Sequence, residues 1–527
     1  MVSIAQLKEG FLAGKLILHC STIELRQCDQ AKNPKTYSGS GAIALSPVEG
    51  FYGSFVSQVI VPIFAQLLED QKLTSGVIIP DSYYYSLEAT SYDGTVWRNP
   101  KVAVNVKGGD KGTKVEFHLD YLETSRSLPV TRNAYATFVF LELLPFHLTA
   151  ATHTTEKGPK GEQIKFHRDH GVHQSRRMQT IYRERKDGIV HSELTAEFTG
   201  AVPEGFQTRL VEAARFVTAV SASWVMLEYQ RDGLVHLELT PHTPSQNHLV
   251  NAPLSTRYLG PDFYRMFEAY YVHACGKTTG DDFSQLSTAI GPLFSLKGLN
   301  FSEICLVVGV AIEALLNEEF EEFAAVEPKL LDEVELAFKL IDSMHDVREG
   351  TRKRLTGSMG GIKKARPKDK LLKLQELGLV TNSELKDWEK LRNKSAHGSL
   401  RIDPQQWQQL LRQVFTVATL AYKLAFLRIG YFGPYTDYGS YGWRTAWFPA
   451  KGDAKDLTKT VDQLAQLQSA NDVQDKLDAW QAVESALRNT IADSDAGASR
   501  LPASLSLLAI MRTAGQVRLA ELLGAPT

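Results

Sequence analysis

The spacing of hydrophobic residues changes along this 527-residue chain, and that change constrains the fold more than any other feature. From Gly14 to about Phe146, apolar and polar residues alternate in short runs. Examples are Lys15 to His19, Val102 to Val106, Val115 to Leu119 and Ala136 to Leu144, and Gly-rich turns such as Gly108-Gly109-Asp110 separate them. A period of two buries one side of an extended chain, so this segment is expected to be mainly sheet. From residue 261 onward the period lengthens: Ile304, Val307, Val308, Ala311, Ile312 and Leu315 fall on one face of a helix. The expected class is α+β multidomain, with a strand-rich N-terminal region, an all-α helical bundle and a helical C-terminal tail.

At roughly 150 residues per domain, this length predicts several cores. The expected division is a strand-rich domain over 1–153, a second α+β region with hairpins and a helix over 154–290, a helical domain over 300–450 and a helical tail over 451–527. Residues 154 to 178 are polar, with Lys157-Gly158-Pro159-Lys160-Gly161 followed by a His/Arg-rich run, and predict a long exposed loop at the first boundary. Beyond it, Asp187-Gly-Ile-Val-His-Ser-Glu-Leu-Thr195 is echoed by Asp232-Gly-Leu-Val-His-Leu-Glu-Leu-Thr240, each copy predicting an Asp-Gly hairpin turn and a strand. Two copies are too few for a solenoid. Between them, Thr208 to Val225 has helical spacing. Further on, Ser302 is expected to cap a helix reaching about Phe323, and Pro328 to open one reaching about Met344. Short helices follow near 368–378 and 382–397, and Pro404 opens a long one through Leu427. Tyr431-Phe-Gly-Pro-Tyr-Thr-Asp-Tyr438 predicts an aromatic turn, and 493–500 a break in the tail.

Lys and Arg total 58 against 60 Asp and Glu, a net charge of -2, so contact with nucleic acid has to come from a local basic patch. The cysteines, Cys20, Cys28, Cys275 and Cys305, form no CxxC pair and predict a reducing compartment rather than a disulfide framework. Lys8 and Glu9 interrupt the apolar core a secretory signal needs. The longest apolar stretch, Ile304 to Leu316, contains Glu313 and falls short of the ~20 residues of a membrane span. The expected location is cytoplasmic, without a membrane segment.

The segment that carries chemistry is Trp388-Glu-Lys-Leu-Arg-Asn-Lys-Ser-Ala-His-Gly398, a helix end with glycine in the stop position. RNA cleavage by internal transfer, the reaction that the family resemblance given below implies, would need a base for the ribose 2'-OH proton, a proton donor for the leaving 5'-oxygen, and positive charge beside the phosphate. His397 suits the proton steps because histidine titrates near neutrality. Arg392 suits the phosphate because its planar fork pairs with non-bridging oxygens. Asn393, four residues before His397, shares its face on a continuing helix and is placed to orient the imidazole. The reaction calls for no metal and no cofactor. The common explanation of an Arg-x-x-x-x-His pair is a solvated helix surface. Arg185 to His191 and Arg231 to His236 also pass a loose search, but they lie on predicted hairpins and lack the Asn.

Other candidates are weaker. The run from Arg348 to Lys373 holds ten basic residues against Glu349 and Asp369. It is read equally as a solvated connector and as an RNA-backbone surface, with Lys363, Lys364, Arg366 and, from the motif itself, Lys394 as candidates. His167, His170 and His173 are spaced by three, which on an extended chain alternates faces instead of converging on a metal. Tyr83, Tyr84 and Tyr85 suit either base stacking or a strand edge.

Arg392-Asn393-x-x-x-His397 resembles the Arg-Asn-x-x-x-His motif of the HEPN superfamily, which lies near the end of one helix of a small bundle. Val310-Ala-Ile-Glu-Ala-Leu-Leu316 looks like the first helix of that family, where an acidic side chain faces the catalytic helix; this adds Glu313 to the catalytic candidates. A helix beginning near Asp403 follows the motif, as the family's bundle requires. Gly430 to Tyr438 and the strand-rich upstream layout are similar to ApeA-like abortive-infection HEPN proteins of bacterial phage defence. The resemblance covers residues 300 to 430. It implies a metal-independent endoribonuclease acting on tRNA or other cellular RNA, and a toxin-like antiviral effector whose N-terminal region senses or regulates, with a phage-derived trigger as a partner. It also implies a homodimer or higher homo-oligomer with a composite site. Arg392 and His397 lie five residues apart, about 140 degrees around a regular helix, and do not share a face. The alternative is a catalytically silent HEPN module or scaffold that binds nucleic acid or a partner protein.

Overall fold

Alternating burial in the first half produces one antiparallel sheet of 14 strands in the computed structural model. The structure describes residues 4–28, 34–46, 50–59, 79–108, 112–127, 134–158, 161–186, 189–241, 250–256, 261–277, 280–296, 299–320, 328–363, 365–396 and 407–449. Six strands close on themselves: β1 (Ile17–Gln27), β2 (Thr36–Ser46), β3 (Gly50–Ser57), β4 (Tyr85–Ser91), β5 (Val96–Lys107) and β6 (Thr113–Leu119) run in the order β4-β1-β2-β3-β6-β5, and β4 also pairs with β5. Closure leaves these strands without an open edge, and side chains fill so small a barrel. Ile23, Ile43, Phe51, Trp97, Val115 and Phe117 are buried in its core. Glycine is needed at Gly53, where an added Cβ would lie 2.2 Å from the Phe117 ring on the neighbouring strand. Helix α1 (Ile4–Leu12) adds Leu7 and Phe11 to the same core, with Phe11 stacked on Phe51 at 5.9 Å.

Strand β5 also leads out of the barrel. Its register shifts across Asn99 to Val102, where Pro100 cannot donate to a ladder, a usual place for proline in a sheet. Before that shift, Trp97 and Arg98 pair with β7 (Leu122–Ser127). The sheet continues as β7-β14-β13-β8-β12-β11-β10-β9 through β8 (Tyr135–Phe140), β9 (Ala150–Gly158), β10 (Gly161–Gln174), β11 (Met178–Arg185), β12 (His191–Phe198), β13 (Met226–Arg231) and β14 (Leu234–Leu239). The loop expected over 154–178 is therefore largely the hairpin of β9 and β10. β9 is the outermost strand of the sheet, where charged and polar residues are favoured because they discourage further pairing.

The sheet crosses residue 153 without a break. The compact units are Met1–Pro203 with Ala222–Gln246, and Glu204–Ser221 with Asn247–Thr527. The near-repeat resolves into two different hairpins. Asp232 and Gly233, at φ 52° and 77°, form the two-residue left-handed turn between Arg231 and Leu234, whereas in the other copy Arg185 pairs with His191 across a longer connection. Positions 187 and 188 lie outside the described residues.

Glu142 follows β8 in the first unit. Its backbone carbonyl accepts from the Ser192 hydroxyl at 2.7 Å, and its Oε1 is buried without a hydrogen-bond partner among the described residues. Burial pushes its carboxyl up from the ordinary 4.5 to about 7. Between those values the folded chain keeps a proton that the unfolded chain has lost, so stability falls as pH rises through this window. The expected result is that wild type loses melting temperature between about pH 5 and about pH 8, and that Glu142→Gln removes most of this loss. Superimposable wild-type and variant profiles would count against the assignment.

Among the described residues, the second unit is helical apart from one hairpin. Its helices are α2 (Phe206–Thr218), α3 (Asp262–Lys277), α4 (Gln285–Ile290), α5 (Phe301–Glu319), α6 (Pro328–Ser343), α7 (Glu349–Gly360), α8 (Pro367–Glu376), α9 (Asn382–Ala396) and α10 (Trp407–Ile429). α2 stops earlier than its spacing predicts because Ala219 turns left-handed at φ 54°. α5 is capped by Asn300 rather than Ser302: the Asn300 side chain accepts from the Glu303 N–H at 3.0 Å, and Glu303 accepts from the Asn300 N–H at 2.8 Å. Pro328 opens α6 as expected. The basic connector is not a loop but α7, a short turn over Gly361–Lys363, and α8.

α10 is long and apolar enough to cross a membrane by length and composition, a candidate that the sequence reading passed over. However, 78% of its apolar window is buried inside the unit, as for a core helix. It packs against α3, α5 and α9. The expected aromatic turn is instead β15 (Gly433–Asp437) paired with β16 (Arg444–Phe448), with Tyr431, Phe432, Tyr435 and Tyr438 all buried. Four rings there are too apolar for a solvated turn, and they pack beside Phe426 and Phe448, Phe426 lying 5.1 Å from Tyr431 and 5.7 Å from Phe448. The tail over 451–527, with its expected break, lies outside the described residues.

Candidate functional site

Helix α9 is held from three directions. At its start, Thr381 and Glu384 form a capping box: the Thr381 N–H and hydroxyl donate to Glu384 Oε2 at 2.7 and 2.9 Å, and the Glu384 N–H donates to Thr381 Oγ1 at 3.3 Å. The other Glu384 oxygen accepts from Lys423 Nζ of α10 at 2.7 Å, with both side chains nearly buried. Burial works against the Lys423 charge, yet the Glu384 carboxylate outweighs it and raises the lysine above its ordinary value. Along its inner face, Leu385, Trp388 and Leu391 are buried, as the apolar stripe predicts. The third anchor is the Trp388 indole, which donates to the Gly309 carbonyl of α5 at 3.2 Å.

These anchors bring α9 against α5 at one point. A Cβ added to Gly309 would stand 3.7 Å from Arg392 Cα, so the two backbones nearly touch there. One turn further along α5, Glu313 forms an ion pair with Arg392 Nε across 79 residues of sequence. Arg392 is 51% exposed and Glu313 26%, so the pair lies at the surface, where solvent screens it. Two of the four catalytic candidates are therefore together. Asn393 is exposed on the same helix. His397, one residue beyond the last turn of α9, lies outside the described residues, as do Gly398 and Lys364. Lys394 is described only as part of the helix.

The remaining phosphate-binding candidates are engaged with acids. Arg366 grips Asp369 with two nitrogens, at 3.1 and 3.2 Å, raising the guanidinium and holding the carboxyl below its ordinary range. Lys363 lies 3.9 Å from Glu335 and 4.8 Å above the Phe338 ring. Lys353 pairs with Glu349, and Lys373 with Glu376. Lys370 is buried and donates to the Leu316 carbonyl at 2.7 Å. This segment has far less unbalanced charge than its composition suggests. One pair does bear on the site: Lys368 meets Glu389 at 2.5 Å, tying α8 to α9 one turn before Arg392.

Arg185 and His191 end and begin paired strands, and Arg231 and His236 lie on β13 and β14. His167, His170 and His173 lie along β10, an extended chain, and the described residues contain no cluster of metal-ligating side chains. Tyr83 ends a short helical turn, Tyr84 has Lys101 4.5 Å above its ring, and Tyr85 is buried at the start of β4.

Sequence reasoning missed Glu384 and Lys423, which set the direction of α9. The Thr381-x-x-Glu384 spacing was a legible capping signal, whereas the partnership with a lysine 39 residues later carried none. No protein-family model matches the chain, no curated protein matches it, and no solved structure matches it.

Proposed function

We propose that the second unit is a metal-independent endoribonuclease of the HEPN type, cleaving tRNA or other cellular RNA in the cytoplasm as a toxin-like antiviral effector. The observation that carries this reading is the surface ion pair of Arg392 and Glu313, held on the helix that leads into His397. A tethered arginine is one whose fork is already oriented, which lowers the entropic loss when a phosphate arrives. Guanidinium has five N–H donors, enough to serve a carboxylate on one edge and a phosphate on another.

In the reaction, His397 in one site takes the 2'-OH proton while that oxygen attacks phosphorus. The bond to the 5'-oxygen breaks, and the leaving oxygen takes up a proton, from the imidazolium or from water. Arg392 offsets charge on the non-bridging oxygens. Asn393 orients the imidazole. The first unit, with its barrel and long sheet, serves as sensor or regulator, a phage-derived molecule being the trigger.

The test is to incubate the purified full chain with total RNA beside a His397→Ala control. Cleavage is expected to persist in EDTA and to leave 2',3'-cyclic phosphate or 3'-phosphate ends. A strict requirement for magnesium, with 3'-hydroxyl ends, would overturn the mechanism. No cleavage of any RNA would favour the alternative, a silent module or scaffold that binds nucleic acid or a partner protein.

A second observation supports a homodimer. Leu306 and Val310 are 44% and 51% exposed and share a helix face with Glu313. Apolar side chains at i and i+4 beside a site suit an isologous contact that brings the Arg392 of one protomer toward the His397 of its partner. Val310→Asp places a charge in that contact. The expected outcome is a shift to monomer in sedimentation and loss of most RNA cleavage, with the melting temperature unchanged. A wild-type monomer that cleaves at full rate would rule out the composite site.

A further inference from the structure

A groove of about 310 Å³ lies within the second unit, well away in sequence from Arg392 and Glu313. Arg215 of α2, Ser221 just beyond it, and Phe283, Ser287, Thr288 and Ser295 from the segment around α4 line it. Among the described residues no carboxylate lines it, so its chemistry does not suit a cation.

Its two walls are fixed to each other. The Glu212 carboxylate accepts from the Ser284 N–H at 2.6 Å and from the Ser284 hydroxyl at 2.9 Å. Arg209, paired with Glu212 at 2.9 Å, also donates to the Gly280 carbonyl at 3.0 Å. Arg209 and Glu212 are each 1% exposed. A network this deep holds Phe283 and the serines in place before anything binds, which lowers the ordering cost of association.

The groups on these walls have complementary roles. The Arg215 guanidinium lies 5.1 Å from the centre of the Phe283 ring, and Phe283 is 46% exposed, so a cation and an open aromatic surface stand side by side. Burial disfavours the Arg215 charge, and Glu212 offsets that in part. A further anion beside the guanidinium would favour its charged form. The Thr288 hydroxyl donates to the Ser284 carbonyl at 3.1 Å and so presents its lone pairs as an acceptor. Ser221, Ser287 and Ser295 add further hydroxyls.

We infer that this groove binds a small phosphorylated ligand bearing a flat ring, of the nucleoside monophosphate class, with the phosphate on Arg215 and the ring on Phe283. A cavity of this size is at the small end of ligand sites and suits one nucleotide rather than a strand. The inference stands apart from the ribonuclease reading, since none of its residues belongs to that site.

The experiment is calorimetric titration of the full chain with each of the four common ribonucleoside monophosphates, with adenosine and inorganic phosphate as separate arms. At least one monophosphate is expected to bind about tenfold or more tightly than either adenosine or phosphate alone. Phe283→Ala removes the ring surface, and Ser295→Trp fills the groove. Both positions are exposed, so folding should survive. Each variant is expected to weaken that binding about tenfold or more, while Arg392→Ala leaves it unchanged. The inference is overturned if no monophosphate binds, if phosphate alone binds as tightly, or if binding survives both groove variants. Loss of binding in Arg392→Ala would place the nucleotide at the other site and overturn it equally.

Discussion

Arg392→Ala is expected to lower RNA cleavage about 100- to 1,000-fold, the usual loss when one group that stabilises transition-state charge is removed. Its stability should change little, because the side chain is 51% exposed and a pair of that kind contributes at most about 1 kcal/mol. Helix α9 does not depend on Arg392 for its position, which the Thr381 cap, the Glu384–Lys423 pair and the Trp388 indole provide. Melting temperature and single-turnover cleavage, measured on the same preparation, separate the two effects. His397→Ala should show the same loss. Glu313→Gln should cost about tenfold, since an amide oxygen still accepts from the guanidinium but no longer holds it by charge. A variant lacking Arg392 that melts like wild type and cuts RNA at the wild-type rate would remove arginine from the mechanism. Differently tagged Arg392→Ala and His397→Ala chains, co-expressed and purified as a mixed species, extend the test: partial recovery over each single-variant homodimer would support a site shared between protomers.

How far the sequence reached depended on whether the deciding contact was local. Pro328 opens its helix, the buried face of α5 follows its 3.6-residue spacing, and Leu385, Trp388 and Leu391 point inward, because each of these depends on neighbours a turn or two away. The cap of α5 was local too, and the miss came from choosing Ser302 over Asn300, whose reciprocal partner Glu303 was visible three residues on. Elsewhere the deciding partner was distant. Nothing near Gly161 to Gln174 shows that this polar run pairs with β11 on one side and β9 on the other. Nothing in Tyr431 to Tyr438 shows a strand, since the rings are buried by Phe426 and Phe448 from other elements. The barrel is the extreme case, because β4 closes on both β1 and β5 only after the chain has passed through β2 and β3. At the candidate site, the motif was local and legible, whereas the pairing of Arg392 with Glu313 rested on resemblance and is now a contact in the structure.

The other large effect is expected at Glu319, far from any proposed chemistry. Glu319 closes α5 and Arg428 closes α10, and they meet at 2.9 Å with side chains 2% and 9% exposed. Arg428 also lies 5.3 Å from the centre of the Phe320 ring, so its guanidinium is enclosed by apolar surface as well as by its partner. Two helix ends are thus locked by one desolvated pair. Glu319→Ala leaves an arginine that cannot shed its charge without its buried carboxylate, and the expected cost is about 3–5 kcal/mol. In urea this should appear as an earlier loss of helical circular dichroism with the slope unchanged. The pair itself is worth much less than that figure, since its attraction mostly repays the desolvation of both groups. Replacing both, as Glu319→Leu with Arg428→Met, should therefore recover most of what the single change loses. That recovery distinguishes a buried charge that has lost this carboxylate from a simple packing defect: a cavity left by Glu319→Ala would gain nothing from the second substitution, and a double variant no more stable than the single one would mean that packing, not charge, holds the two helix ends together.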